Sequence, residues 1–292
     1  MVTRETSAPG PFTSISRRER IILPISGLKD PIIKSLRRVK TAGGRAKENL
    51  FIAEGLDLCK RAVLYGAHLE ALIFAEGFHL RPECQELFKI LSPETQLFTC
   101  SEGMLNKCLE AKPTPACIGL VKRIQAPWAP TTESAGQASL YLGVDQGDNA
   151  DNLGMLLRTA EAAGVSTALL SGGTVDPWGR RVVRAARGAM FSLPIALEER
   201  SLDAVKIAQE KGIQVITTSA KACLDYTEID YRVPSLLMVG NEHHGIDEEV
   251  VEASDHCVLM PMLGHIHSLN IAVAASLILY EAQRQRGWIS AR

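Results

Sequence analysis

The run from Cys257 to Gln285 constrains this chain more than any other part of its 292 residues. Cys257 to Met260 is a short apolar run that reads as a buried strand, and Pro261, with no N–H to give a sheet, stops it. Gly264 permits a sharp turn, and Ser268 is placed to cap a helix running from Ile271 through Tyr280 to Gln285. That helix is apolar on nearly every side until Glu281, so the domain or a second copy must cover it. It is too short for a bilayer, which takes about 20 apolar residues. The connecting loop sets backbone amides, the Ser268 hydroxyl and the Asn270 carboxamide at a helix N-terminus. Such a corner suits a small polar ligand, and it is also an ordinary way to join a strand to a helix.

Two earlier stretches separate those readings. Leu236 to Val239 is an apolar strand running into Gly240-Asn241-Glu242-His243-His244-Gly245, a Gly-x-Glu-x-x-Gly loop. Upstream, Val144-Asp145 ends a strand, and Asn152-Leu153-Gly154 with Arg158-Thr159-Ala160 follows on a helical pattern. Pro261-Met262-Leu263-Gly264 and Ser268-Leu269-Asn270 complete a series of three. In that order these stretches closely resemble the three motifs of the SpoU-type RNA 2′-O-ribose methyltransferases of the SPOUT superfamily.

The resemblance covers residues 138–292 and implies an α/β domain, a mostly parallel sheet with a deep trefoil knot. It implies S-adenosylmethionine as methyl donor, held by main-chain groups at Gly240, Met260 and Leu269 with a further contact near Thr218. It assigns the catalytic positions to Asn152, Arg158, Glu242, Ser268 and Asn270. The sulfonium is already a good electrophile, so the protein must position the 2′-OH and stabilise the developing alkoxide. Arg158 lies off the stripe of Leu153, Leu156, Leu157 and Ala160. A guanidinium keeps its proton, so Arg158 is expected to stabilise the developing alkoxide or grip an adjacent phosphate; the base role the resemblance also implies would need strong burial. Glu242 is placed to pair with it, or else is a plain loop acid; Asn152 also reads as a helix N-cap. Two departures stand out: His267 precedes Ser-Leu-Asn where Glu or Gln is usual, and Asp148 to Asp151 lacks the proline that often precedes Asn-x-Gly. No Gly-x-Gly-x-x-Gly follows the first strand of either half, which argues against a dinucleotide site.

The net charge of −1 hides an asymmetry. Residues 1–124 carry 19 Lys+Arg against 13 Asp+Glu, and residues 125–292 carry 13 against 20, so the first half is the one suited to a polyanion. Pro31 to Val39 is an amphipathic helix with a basic face, broken by Thr41-Ala42-Gly43-Gly44-Arg45. Strands at Leu50–Ala53, Leu72–Ala75, Leu97–Phe98 and Cys117–Val121 make residues 20–124 a smaller α/β domain. Asn49 to Gly66, with the basic helix before it, resembles the L30e/L7Ae-like substrate-binding domain of many SpoU-type enzymes. Lys34, Arg37, Arg38 and Arg45 are its expected RNA contacts. Arg180, Arg184 and Arg187, spaced to share a helix face, are expected to add phosphate contacts beside the pocket.

Residues 1–19 read as a disordered tail and 125–137 as a linker. The seven cysteines are scattered without a Cys-x-x-Cys, which points to free thiols in the cytoplasm. The histidines at 243, 244, 256, 265 and 267 match no ligand spacing, so no metal is expected. No membrane partner is expected either. The expected activity is ribose 2′-O-methylation of structured RNA, ribosomal RNA first and transfer RNA second, by a homodimer joined through its C-terminal domain. The rivals are a non-catalytic RNA-binding or ribosome-associated factor of the same fold and, more remotely, a nucleotide-dependent oxidoreductase.

Overall fold

The computed structural model describes residues 20–134 and 136–287, so the expected tail lies outside the described residues. The first half builds strands β1 (Ile22–Pro24), β2 (Leu50–Glu54), β3 (Leu69–Ala75), β4 (Gln96–Cys100) and β5 (Cys117–Lys122). They lie in the order β1-β4-β3-β5-β2, and β5 alone runs antiparallel to its neighbours. Helices α1 (Pro31–Arg38), α2 (Ala42–Glu48), α3 (Leu56–Leu64), α4 (Pro82–Ile90) and α5 (Glu102–Leu109) connect them. Alternation along β2 sends Leu50 and Ile52 into the core with Ile33 and Leu36 of α1 and Leu105 of α5. It sends Phe51 and Ala53 into the other core, with Leu58 of α3 and Leu87 of α4. Both faces of the sheet are therefore covered.

The basic helix does end before the Gly-Gly stretch, as expected, but that stretch starts a second helix, α2, rather than a turn. The Thr41 hydroxyl caps that helix on the Gly44 amide at 3.1 Å. A Cβ at Gly44 would stand 1.9 Å from the Arg38 carbonyl oxygen, so only glycine lets α2 fold back over the end of α1.

After a short hairpin, β6 (Glu133–Ser134) and β7 (Gln137–Ala138), the second half forms a seven-stranded, all-parallel sheet. Its strands are β8 (Leu140–Asp145), β9 (Thr167–Ser171), β10 (Ile195–Leu197), β11 (Gln214–Thr218), β12 (Leu224–Asp225), β13 (Ser235–Val239) and β14 (His256–Leu259). Their order is β10-β9-β8-β13-β11-β14-β12. Helices are α6 (Ala150–Ala162), α7 (Arg180–Ala186), α8 (Ser201–Glu210), α9 (Glu248–Ala253) and α10 (Ile271–Gln285). Leu142, Val144, Leu237 and Val239 face α6 and α10, while Tyr141, Leu236 and Met238 face α8 and Val250 of α9. The stretch that joins the two sheets is itself packed at Trp128. Trp128 is buried, its ring 5.3 Å from that of Tyr141 and its indole N–H donating to the Ala204 carbonyl.

The two sheets share one core. Phe51 of β2 stacks on Phe191 at 6.0 Å between centroids, and Arg123 lies 4.1 Å over the Trp178 ring. Two guanidinium groups cross the seam. Arg45, only 6% exposed, donates to Asp176 at 2.7 Å and to the carbonyls of Val39 and Lys40 at 3.0 and 2.9 Å. Arg180 pairs with Glu54 and donates to the Leu109 carbonyl. These placements take Arg45 and Arg180, expected to contact RNA, into the seam, where the Arg45 guanidinium and two nitrogens of Arg180 are engaged with protein.

Candidate active site

Every residue of β8 is buried, and the chain leaves it through Gln146, held left-handed at φ 52°. Asn149, not Asn152, caps α6, its side chain accepting from the amides of Asp151 and Asn152 at 3.0 and 3.2 Å. Asn152 is thereby free for another partner. Buried one turn into the helix, it accepts at Oδ1 a 3.0 Å hydrogen bond from Nδ2 of Asn270. The Asn270 side-chain oxygen caps α10 on the amides of Ala272 and Val273. The cap expected at Ser268 is thus supplied by Asn270, and Ser268 stands exposed in the preceding loop. A second bond, Ser276 to Thr159 at 3.1 Å, fastens the same two helices.

Gly154 lets α6 approach α7, since a Cβ there would come within 2.4 Å of the Ala185 Cβ. Gly240 has a comparable role. A Cβ on it would lie 2.2 Å from the Gly245 carbonyl, in the loop closed by the Asn241–Gly245 bridge. Glycine is required there by the loop itself, whatever binds beside it. A bulky side chain at 240 would therefore rearrange the loop as well as fill space.

A cleft lies between these loops, with Gly147, Asp148, Asn149 and Asn152 on one side and Gly240, Asn241, Glu242 and Ile271 on the other. Thr218, Gly240 and Met260 stand at or just beyond the C-terminal ends of β11, β13 and β14, three neighbouring strands. Ligands of open parallel sheets bind at that edge. Met260 is half-buried and Leu269 is 37% exposed. Main-chain groups at this sheet edge, with half-buried apolar side chains beside them, suit an adenosine and the aliphatic arm of a sulfonium. The residues present fit S-adenosylmethionine on that count.

Arg158 is exposed on α6, six residues along from Asn152, or about 9 Å at 1.5 Å per residue. It does not line the cleft. Among the described residues neither Arg158 nor Glu242 enters an ion pair, so the expected pairing between them is absent. Both are open to solvent.

Residues 139–280 match the SpoU rRNA Methylase family, and residues 30–119 match the MRM3-like substrate binding domain. The RNA 2′-O ribose methyltransferase of one crystal structure is 31% identical, with a TM-score of 0.75, over 91% of this chain and 99% of that one. The chain belongs to the SpoU methylase family. An AdoMet-bound rRNA methyltransferase from Sinorhizobium meliloti superposes with a TM-score of 0.79 at 27% identity, covering 90% of this chain and 98% of that one. The 23S rRNA (guanosine(2553)-2'-O)-methyltransferase RlmP of Bacillus subtilis is 28% identical over 88% of this chain and 97% of its own length.

In this SpoU methylase the remaining basic residues divide by environment. Arg38 pairs with Glu48 at 2.9 Å and Lys40 with Glu110 at 3.0 Å, both at the surface. Among the described residues Lys34, Arg37, Lys47, Arg184 and Arg187 are exposed without an ion pair. The stripe expected on α7 is split. Arg180 turns inward to the seam, and Arg187 lies beyond the helix in a left-handed conformation at φ 54°. Asn149, Asp145, Asn241 and Asp176 were not singled out from sequence. Asn149 had the clearest signal, an Asx residue just before an apolar-periodic run.

Proposed function

We propose that this chain transfers a methyl group from S-adenosylmethionine to a ribose 2′-OH in structured RNA, with ribosomal RNA as the first substrate class and transfer RNA as the second. The observation that carries this reading is the Asn152–Asn270 hydrogen bond. It joins two motifs 118 residues apart in sequence at the N-termini of α6 and α10, beside the cleft. When bound, the methyl donor supplies an activated sulfonium-linked methyl group. The chain supplies position and charge. Gly240, Met260 and Leu269 offer main-chain contacts to the donor, with Thr218 beside them. Asn152 and Asn270 fix each other and present polar edges to the ribose. The Glu242 carboxylate and Ser268 hydroxyl stand on the two loops that border it, and Arg158 stabilises the developing alkoxide. The same reading threads α10 through the knot that the SPOUT fold carries.

Transfer of tritium from labelled S-adenosylmethionine to ribosomal subunits, mapped by resistance of one phosphodiester to alkaline hydrolysis, is the expected result. RNA binding without transfer would leave a non-catalytic factor of the same fold.

The active unit in this reading is a homodimer. α10 buries Ala272, Ala275, Ile278 and Leu279 but exposes Val273, Leu277 and Tyr280 by 44–48%, and Met155 of α6 is 42% exposed. Leu263 and Ile266 add exposed apolar surface in the loop before α10. Contiguous apolar patches of this kind mark interfaces. Arg158, three residues from Met155, borders this face and reaches a ribose across the dimer rather than through its own cleft. Light scattering should give twice the chain mass, and Leu277→Glu should give a monomer without transferase activity. A wild-type monomer at micromolar concentration would refute the assignment.

RNA docking is assigned to Lys34, Arg37 and Lys47, with Arg184 and Arg187 at the end of α7 as a second group and Arg38 held back by its ion pair. Replacing Lys34, Arg37 and Lys47 together with Gln should lower the salt slope of RNA binding by roughly 0.7–0.9 for each phosphate no longer neutralised. Cofactor affinity should stay as it was. An unchanged slope would move RNA recognition to Arg184 and Arg187. No helix among the described residues is long and apolar enough to cross a membrane. The seven unpaired cysteines fit a reducing compartment, so the cytoplasm is the proposed location.

A further inference from the structure

Asp145 is a carboxylate at the buried end of β8, 1% exposed, with no place in the chemistry above. Its Oδ1 accepts from the Ser201 hydroxyl, the first residue of α8, and its Oδ2 accepts from the Asp247 amide at 3.2 Å. Ser201 is in turn 2.7 Å from the Ser171 hydroxyl at the end of β9. One side chain thus joins two strand ends to the starts of two helices, where the helix dipoles favour negative charge. Asp247 closes the loop that begins at Gly240, so Asp145 holds the far end of that loop against β8. The near end is held separately. Asn241 donates from Nδ2 to the Gln146 carbonyl at 2.9 Å, the residue just after Asp145. Its Oδ1 accepts from the amides of His243 and His244, which shapes the loop locally.

We infer that Asp145 and Asn241 are positioning residues that clamp the Gly240–Asp247 loop to the end of β8, and that this clamp sets the affinity for the methyl donor. The inference rests on the cofactor placement proposed above. Burial argues for it. A buried acid satisfied by one hydroxyl and one amide is retained at a cost in desolvation that an apolar residue would avoid. What it gains here is a fixed relation between the motif-one and motif-two loops. That relation matters to a ligand held by main-chain groups, because loop geometry is then the whole of its recognition.

The chemistry distinguishes the two ties. In Asn241→Asp the local acceptor is kept while the donor to Gln146 is lost and two oxygens are brought face to face. This half-exposed loop variant should fold with an unchanged melting temperature and bind S-adenosylmethionine about tenfold more weakly, the worth of one net hydrogen bond. Asp145→Ala should weaken binding by at least as much. Asp145→Asn should restore it to within about threefold, since its oxygen can take the Asp247 amide and its NH2 can donate to Ser201, whose hydroxyl turns to Ser171. Calorimetry on the three full-length variants reads these affinities, and melting without ligand reads stability. Wild-type affinity in Asn241→Asp overturns the clamp, as does an affinity in Asp145→Asn as low as that in Asp145→Ala. Amide exchange of the wild type with and without S-adenosylmethionine separates this from the placement itself. Protection of residues 240–247 with unaltered affinity in the variants sinks the clamp alone, and absence of protection there sinks the placement on which it stands.

Discussion

Arg158→Ala is expected to lower methyl transfer by about a thousandfold while leaving the affinity for S-adenosylmethionine within about threefold. Loss of a single preorganised donor to a developing oxyanion removes on the order of 10²–10³ in rate. Arg158 offers that donor exposed and without an ion pair among the described residues, so no protein charge competes for it. Its removal also breaks nothing that secures the helix. α6 is fastened by Asn149 at its start, by Gly154 against α7 and by Thr159 against α10. A drop in rate would therefore report chemistry rather than unfolding. Arg158→Lys should fail nearly as badly, because a point charge does not reproduce a planar fork of five donors. Single-turnover transfer with saturating cofactor is the measurement, and wild-type rates in either variant would remove Arg158 from the reaction.

Much of the fold was legible in sequence because its strands are short apolar runs bounded by turn residues, and both sheets keep two buried faces. β8, β13 and β14 were readable for that reason. β1 and β10, at three residues each, carry too little pattern to separate from loop. Gly43 and Gly44 mark where the basic helix ends, but not that a second helix begins there. Two glycines cost a helix roughly 1 kcal/mol each relative to alanine. The fold overrides that cost because the Thr41 cap and the close approach to Arg38 both need this local sequence. At the site, the motif asparagines were legible by resemblance, but their bond to each other was not. Nor was the exchange of capping roles, from Asn152 to Asn149 and from Ser268 to Asn270. Each such pairing spans over a hundred residues or depends on a one-turn shift, and local periodicity contains neither.

Arg45 shows the same limit on a larger scale, and it carries the second large effect. From sequence it is one of a run of cations that suit phosphate; in the fold its guanidinium is buried against Asp176, 131 residues away. Breaking a buried pair by removing one partner costs about 3–5 kcal/mol, since the remaining charge is stranded. Arg45→Met keeps the stem, takes from Asp176 its direct partner while the nearby Arg123 still acts on it, and leaves the carbonyls of Val39 and Lys40 without their donor. The Trp178 amide still serves one oxygen of Asp176, so the loop after β9 is weakened rather than lost. At about 2–4 °C per kcal/mol for a unit of this size, the melting temperature should fall by roughly 6–20 °C. RNA affinity should fall with it, because the substrate-binding half is no longer held in register with the cleft, but the salt slope should not change. A phosphate contact would behave in the opposite way, lowering the slope and sparing the melt. Arg45→Met with Asp176→Leu should recover part of the stability, since the pair is then replaced rather than broken. A single variant that melts like wild type and binds RNA with a shallower salt dependence would return Arg45 to the RNA surface and leave the charged tie across the seam to Arg180 and Glu54.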